Sequence, residues 1–269
     1  MTAVARLEGV GFVYPDGTRA LAGVALELRE GERVGIVGQN GSGKSTLVRQ
    51  LNGLLRPTEG RVTLFGRDTA GVHVAELART VGLAFQNPDR QIFAASVRSE
   101  VAFGARNLGR RGAELDRAVQ AALEAVGLEG EAATNPYDLG YSRRKLLALA
   151  SILAMETPVV VLDEPTTGQD ARGVERIQRI VGSLGETGRT VITISHDMRF
   201  VAESFQRVIV MRAGRVILDG PPVTVFAAEH AGALASTFLE APLAARLGER
   251  LGLGTTPSES ALLDALAAR

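Results

Sequence analysis

The stretch ERVGIVGQNGSGKSTLVRQLNGLL, residues 32–55, decides the fold. Its first six residues predict a buried β-strand, and leucines at positions 47, 51, 54 and 55 predict one face of a helix. Between strand and helix, residues 38–45 fit the pattern GxxxxGK[ST], in which glycines let backbone N–H groups point at phosphate oxygens. The N-terminus of the helix adds positive potential there. The stretch therefore predicts a phosphate-binding loop in an α/β fold.

Other segments extend this unit into a sheet. The runs VGLAF, PVVVLD and TVITIS are apolar and rich in β-branched residues, as is typical of parallel strands covered on both faces. The first thirty residues alternate apolar and polar positions around the turn PDGT, which predicts antiparallel strands. RVIVMRAGRVILDG predicts a hairpin that turns at Ala213 and Gly214. We expect an α/β core with an N-terminal antiparallel layer.

Residues 87–157 and the chain after residue 220 have helical patterns instead. In the first region, ELDRAVQAALEAVG has apolar residues along one helical face: Leu115, Val119, Leu123 and Val126. In the second, Pro242 suits the first turn of a helix, and Thr256 with Glu259 fits a capping box. The apolar faces of these two short helices are Leu243, Leu247 and Leu251, then Leu262, Leu263 and Leu266. We expect both to pack on the main domain or on a partner.

Composition excludes several kinds of function. Thirty Lys plus Arg balance thirty Asp plus Glu, so no net charge attracts the chain to nucleic acid or to an anionic membrane. There is no Cys, which excludes thiolate chemistry, and the three His residues lack metal-site spacing. The start has no signal-peptide pattern, and the longest apolar run, residues 146–155, is about half of what a membrane span needs. We expect a chain that stays in the cytoplasm.

Two segments carry residues suited to phosphate chemistry. In the phosphate-binding loop, Lys44 would bridge the β- and γ-phosphates of ATP, and Ser45 would ligate Mg²⁺. VVVLDEP, residues 159–165, ends in two carboxylates: Asp163 would hold the water shell of Mg²⁺, and Glu164 would act as general base on the attacking water. Acids at a strand end are often only solvated, but these follow a phosphate loop in an α/β chain. The expected ATP-binding residues of the loop are Gly38, Gln39, Asn40, Gly41, Ser42, Gly43, Lys44, Ser45 and Thr46.

With these motifs, the chain resembles the ATPase subunits of ABC transporters over about residues 4–220. The resemblance implies that Tyr14 stacks on adenine and that Gln86, in the Q-loop, ligates Mg²⁺ and takes part in catalysis. It implies that Asp170, in the D-loop, lies at the nucleotide and that His196 is the catalytic switch that reads the γ-phosphate. A lone histidine more often packs than reacts, but five elements in the family's order favour the functional interpretation.

The segment QNPDRQIF resembles the QNPDxQ segment of the energy-coupling factor (ECF) branch, which serves vitamin and transition-metal-ion uptake in prokaryotes. The C-terminal helices are similar to an extension that helps to dimerise ATPases of that branch. The resemblance therefore implies a P-loop NTPase (ABC ATPase) fold, with the N-terminal antiparallel layer and a helical insertion. Residues 1–220 would form the ATPase domain, with a helical subdomain at about 87–157, and residues 221–269 a small helical extension for dimerisation.

The segment LGYSR, residues 139–143, takes the place of the family's signature loop, usually LSGGQ. Leu139 matches, and Gly140, Tyr141, Ser142 and Arg143 differ. In the family's head-to-tail dimer this loop completes the ATP site of the other subunit, so these four residues are expected at the partner's ATP. Gly140 lacks the signature hydroxyl, whose hydrogen bond would contribute about 1.5–3 kcal/mol. Ser142, as a helix N-cap, and Arg143, through its charge, are possible replacements.

Two hypotheses follow for the dimer. In the first, the chain pairs with a paralogous ATPase subunit whose intact loop completes this chain's site. In the second, the chain forms a homodimer in which Gly-Tyr-Ser-Arg is a working variant. ATP hydrolysis by the chain alone and with a paralogue would separate them.

The resemblance implies the ATP-hydrolysing subunit of an ECF-type importer at the cytoplasmic face of the membrane. Its cofactors would be ATP and Mg²⁺. Its partners would be the second ATPase subunit, a transmembrane coupling subunit and a substrate-binding membrane subunit. The alternatives are a non-transport ABC ATPase acting on ribosomes or DNA, and a regulatory subunit that binds ATP with little turnover. We expect no nucleic-acid partner, because the basic run RNLGRR is short.

Overall fold

The computed structural model describes residues 2–268 and contains two sheets. The first has four antiparallel strands, β1 (Ala3–Val13), β2 (Arg19–Arg29), β4 (Glu59–Leu64) and β5 (Arg67–Asp68), in the order β2-β1-β4-β5. β1 and β2 join through the PDGT turn; buried residues recur at alternate positions along much of β2, whereas register shifts interrupt that pattern in β1. This sheet confirms the expected N-terminal antiparallel layer.

The central sheet has six strands in the order β10-β9-β3-β8-β7-β6. They are β3 (Arg33–Val37), β6 (Val81–Ala84), β7 (Val159–Asp163), β8 (Thr190–Ile194), β9 (Arg207–Arg212) and β10 (Arg215–Gly220). All pairs are parallel except the β9–β10 hairpin, which turns at Ala213 and Gly214 as predicted. Because parallel strands end at one edge, the segments after β3, β6, β7 and β8 all meet there.

Helices cover the central sheet and extend beyond it. The longer ones are α3 (Val97–Asn107), α4 (Gly112–Val126), α5 (Tyr141–Leu153) and α6 (Ala171–Glu186). The shorter ones are α1 (Lys44–Leu51), α2 (Val74–Leu77), α7 (Met198–Ser204), α8 (Pro222–Val225), α9 (Ala231–Ala235), α10 (Leu243–Arg250) and α11 (Glu259–Ala267). The α3–α5 group forms the expected helical insertion between β6 and β7. No helix among residues 2–268 is long and apolar enough to cross a membrane.

Two hydrophobic cores hold these layers together, one on each face of the central sheet. One lies between the two sheets and includes Leu47 and Leu51 of α1. The other packs α3–α7 against the opposite face, and it also takes in Phe226, Leu234 and Ala245 from the C-terminal segment. The helices after residue 220 therefore contribute to the main core, while the proposed domain boundary there stays a prediction.

The first helix and the C-terminal helices differ from the sequence expectations in detail. α1 ends at Leu51, because Gly53 has φ +72° and turns the chain away, so Leu54 is exposed. Pro242 precedes α10 as its N-cap instead of occupying its first turn. The predicted capping box is wrong: Ser258 caps α11 by accepting a hydrogen bond from the Ala261 N–H.

Thr256 serves a different purpose. Its side chain is buried, and its hydroxyl donates to the Ala244 carbonyl at 2.7 Å, which joins the two C-terminal helices. Most of the leucines expected to pack inward are exposed, namely Leu243, Leu247, Leu251, Leu263 and Leu266. The C-terminal helices thus pair with each other and leave an apolar surface uncovered in the single chain.

Candidate active site

The loop between β3 and α1 can form only with glycine at its two ends. A Cβ on Gly38 would lie 2.2 Å from the main-chain oxygen of Met211, and Gly38 has φ +147°. Gly43 has φ +101°, and a Cβ there would lie 2.5 Å from the main-chain oxygen of Ala20. The loop thus packs closely against the β9–β10 hairpin and the start of β2, and a side chain at either position would displace it.

Lys44 lies within this loop. Its ammonium donates to the main-chain oxygens of Gly38 at 2.7 Å and Gln39 at 2.9 Å, and the residue is 7% exposed. Burial lowers its pKa, although the carboxylates of Glu164 and Asp163 oppose that effect. Its hydrogen-bond partners are neutral carbonyls, and a bound phosphate would supply the negative charge that balances the buried ammonium.

Asp163 ends β7 opposite the loop. Burial raises the pKa of its carboxyl group, while a hydrogen bond with Ser45 acts in the other direction. Its buried Oδ1 atom has no hydrogen-bond partner among the described residues. An unpaired buried carboxylate oxygen beside a hydroxyl suits a hard divalent cation with oxygen ligands. No cluster of three or more His, Cys, Asp or Glu suited to a metal occurs in residues 2–268.

Glu164 and His196 are in direct hydrogen-bond contact. The Glu164 Oε2 atom lies 2.6 Å from His196 Nδ1, and the Thr167 hydroxyl donates to the same oxygen at 3.3 Å. Glu164 is 6% exposed, whereas the His196 side chain is 65% exposed. Glu164 also has φ +52°, a sparsely populated conformation for a non-glycine residue, and its N–H donates to the Ile194 carbonyl at 2.9 Å.

Lys44, Asp163 and Glu164 line one open cavity of about 360 Å³, whereas the predicted site residues Gly38, Gln39 and His196 are not among its lining residues. Tyr14 stands at its side, where its hydroxyl lies 2.9 Å from the Thr46 hydroxyl and its ring meets Phe12 edge-on. The lining residues predicted from sequence are Tyr14, Asn40, Gly41, Ser42, Gly43, Lys44, Ser45, Thr46, Gln86, Asp163 and Glu164. Sequence reasoning missed four others, Thr18, Arg19, Ala20 and Ile194. Thr18 ends the PDGT turn, and Arg19 and Ala20 follow it; the position of this turn opposite the loop depends on how the two sheets pack.

Asp170 and the signature-position residues do not line this cavity. Asp170 caps α6 by accepting a hydrogen bond from the Gly173 N–H at 2.7 Å. Helix α5 begins at Tyr141, with Gly140 as its N-cap residue and no side-chain cap. The expectation that Ser142 caps this helix is wrong, because Ser142 is its second residue.

Ser142 and Arg143 already have partners in the same chain. The Ser142 hydroxyl donates to Gln169 Oε1 at 2.8 Å, and Gln169 Nε2 donates back to the Ser142 carbonyl at 3.0 Å. Arg143 forms an ion pair with Glu131. Both side chains are therefore engaged within their own chain, Ser142 through its hydroxyl and Arg143 through one of its N–H groups. The contact of Ser142 with the carboxamide of Gln169, the residue before Asp170, was not predicted from the sequence.

The sequence is similar to those of known ATP-binding proteins. The ABC transporter family model matches residues 21–167, more than half of the chain. The energy-coupling factor transporter ATP-binding protein EcfA of Methanocaldococcus jannaschii is 43% identical over 217 residues, which is 80% of this chain and 78% of that protein. A putative ABC transporter ATP-binding protein of Caldanaerobacter subterraneus, TTE1589, is 43% identical over 93% of this chain, but the chain spans only 43% of its length.

Among solved structures, CbiO1 from Clostridium perfringens, described as part of the ABC transporter complex cbiONQ, has a TM-score of 0.77 and 34% identity. The match covers 94% of this chain and all of that chain. It confirms the expected P-loop NTPase fold. The chain therefore belongs to the ABC transporter family, among its ATP-binding proteins.

Proposed function

We propose that this chain is the ATP-hydrolysing subunit of an ECF-type importer and powers uptake of a vitamin or transition-metal ion through membrane partners. The observation that carries the proposal is the Glu164–His196 pair at 2.6 Å beside the intact phosphate-binding loop. The names of the EcfA and CbiO1 relatives support the transport role. Neither relative's name points to the ribosome, to DNA or to regulation.

The chain's own residues would divide the chemistry among them. Ser45 and Asp163, with Gln86 at the cavity wall, would hold Mg²⁺, which neutralises charge on the phosphates when bound. Glu164 would accept the proton of the attacking water, since its buried carboxylate faces the cavity. His196 would orient that carboxylate through Nδ1 and leave its other ring nitrogen for the γ-phosphate.

The signature loop favours the heterodimer hypothesis. Gly140 has no hydroxyl, Ser142 donates to Gln169, and Arg143 is paired with Glu131. A site that this loop completed would therefore lack the hydroxyl of the family's signature serine at the γ-phosphate. We propose that a paralogous subunit with an intact loop completes this chain's own active site, and that the opposite site is the weaker one.

Two surfaces fit the remaining partners. A groove of about 600 Å³ lies between α2, β6, α3 and α5, and Phe93 and Phe103 stand exposed at it with ring centroids 4.7 Å apart. A short helix of the transmembrane subunit would dock there. The exposed leucines of α10 and α11 would pack against the second ATPase subunit, since exposed apolar side chains grouped in this way mark interaction sites.

Two measurements test the proposal. ATP hydrolysis is measured for the purified chain alone and after addition of a candidate paralogue. We expect low activity alone and a rise on mixing, whereas full activity alone would overturn the heterodimer. Co-purification from membranes should recover transmembrane proteins, and recovery of ribosomes or DNA instead would overturn the transport role.

A further inference from the structure

Lysine occurs only twice in this chain. Among thirty Lys plus Arg, only Lys44 and Lys145 are lysines, and every other cationic position is Arg. Both lysines are 7% exposed, and both lie near Glu164 and Asp163. Lys44 belongs to the phosphate-binding loop. Lys145 belongs to α5 and does not line the nucleotide cavity.

Lys145 contacts the catalytic carboxylate's own backbone. Its ammonium donates a hydrogen bond to the main-chain oxygen of Glu164. Burial lowers the pKa of Lys145 to about 8, and the Glu164 and Asp163 carboxylates limit that fall. Burying an ammonium is costly, so its presence here calls for a compensating interaction. A compact ammonium, unlike a planar guanidinium, can serve a single carbonyl in a confined site.

The contact is made at a residue whose backbone conformation is unfavourable. Glu164 has φ +52°, and such a conformation persists only where its surroundings restrain it. The Glu164 N–H is held by the Ile194 carbonyl, and the side chain by His196 and Thr167. The Glu164 carbonyl accepts hydrogen bonds from the Lys145 ammonium and, at 3.4 Å, from the Thr167 N–H, and these restrain it.

We propose that Lys145 is a positioning residue for ATP hydrolysis, whose ammonium holds the Glu164 carbonyl and thereby aims the catalytic carboxylate. Because α5 begins at Tyr141, directly after its N-cap Gly140, the same helix carries the signature-position loop at its N-terminus, so Lys145 ties that loop to this chain's own active site. The inference rests on the proposed ATPase function and adds a residue to it.

The test separates an effect of Lys145 on the orientation of the Glu164 carboxylate from effects on ATP binding and on folding. Lys145→Met keeps the length of the side chain and removes the ammonium, and Leu149→Met, one turn further along α5, controls for repacking. In the complex with its partner subunit, we expect Lys145→Met to lower kcat roughly 10- to 100-fold, since a charge-assisted hydrogen bond is lost. The KM for ATP and the affinity for a fluorescent ATP analogue should stay unchanged.

Chemical rescue provides a second readout. The chain has no Cys, so Lys145→Cys introduces its single thiol, and 2-bromoethylamine converts that thiol to a lysine analogue. We expect the alkylated protein to regain kcat, and alkylation with the neutral reagent iodoacetamide to leave kcat low. Wild-type kcat in Lys145→Met, or equal rescue by both reagents, would overturn the proposal. If the wild-type complex itself hydrolyses no ATP, the proposed function fails instead.

Discussion

Gly140→Ser should restore the signature hydroxyl at a position prepared to accept it. Gly140 has φ −62° and ψ 159°, the extended conformation that a serine N-cap adopts. A Cβ built there meets no heavy atom within 4 Å, so the substitution needs no repacking. The effect on stability should be only a few tenths of a kcal/mol, because glycine is itself a fair N-cap.

The effect on catalysis should be much larger. A hydroxyl donor to a charged phosphate contributes about 1.5–3 kcal/mol, or roughly 10- to 100-fold in affinity or rate. ATP hydrolysis by the purified chain alone should rise by that factor in Gly140→Ser, because each loop of a homodimer would then complete the other site. The assay is phosphate release, with thermal unfolding measured in parallel.

Gly140→Ala is the matched control. It adds the same Cβ without a hydroxyl, so it should leave hydrolysis at the wild-type level and slightly destabilise the helix start. If the Ser and Ala variants hydrolyse ATP at the same rate as wild type, the missing hydroxyl is not what limits the homodimer. Equal gains in both variants would show that backbone stiffness, and not hydrogen bonding, is responsible.

Other predictions follow from the cavity. Glu164→Gln should lower phosphate release about 100- to 10,000-fold and leave an ATP-bound dimer that size-exclusion chromatography detects. Gly38→Ala should abolish binding of a fluorescent ATP analogue and lower the unfolding temperature, because the added Cβ meets the Met211 carbonyl. The folded-state pKa of Lys145, about 8, lies below its ordinary 10.5, so the unfolded chain binds its proton more tightly; stability should rise from pH 8 to about 10.5 relative to Lys145→Met in denaturant titrations.

The sequence predicted most of the sheet and the phosphate-binding loop because local patterns encode them. Buried parallel strands are largely apolar, and Gly38 and Gly43 stand where a Cβ would collide. Glu164 and His196 could be named from their motifs, but their 2.6 Å contact arises from β7 and β8 lying side by side. The role of Lys145 is of the same kind, since it lies 19 residues from Glu164 in sequence.

The predictions from sequence were wrong where more than one nearby residue could cap the same helix. Thr256 fits a capping box, but its hydroxyl serves Ala244 in a tertiary contact, which leaves Ser258 to cap α11. Ser142 is a good N-cap by type, yet Gly140 already precedes the helix with extended geometry. Such choices depend on partners distant in sequence, which a local pattern cannot contain.

The paired hydrogen bonds between Ser142 and Gln169 link the first turn of α5 to the segment that precedes α6. The Tyr141 ring adds to this joint, since it lies over Gly168 with 3.1 Å left for any added Cβ. A rotation of the helical insertion relative to the sheet would therefore carry the start of α6 with it or break these hydrogen bonds. The two surfaces that face the other subunit would then separate together, so dimer opening should give one relaxation phase in stopped-flow kinetics, not two.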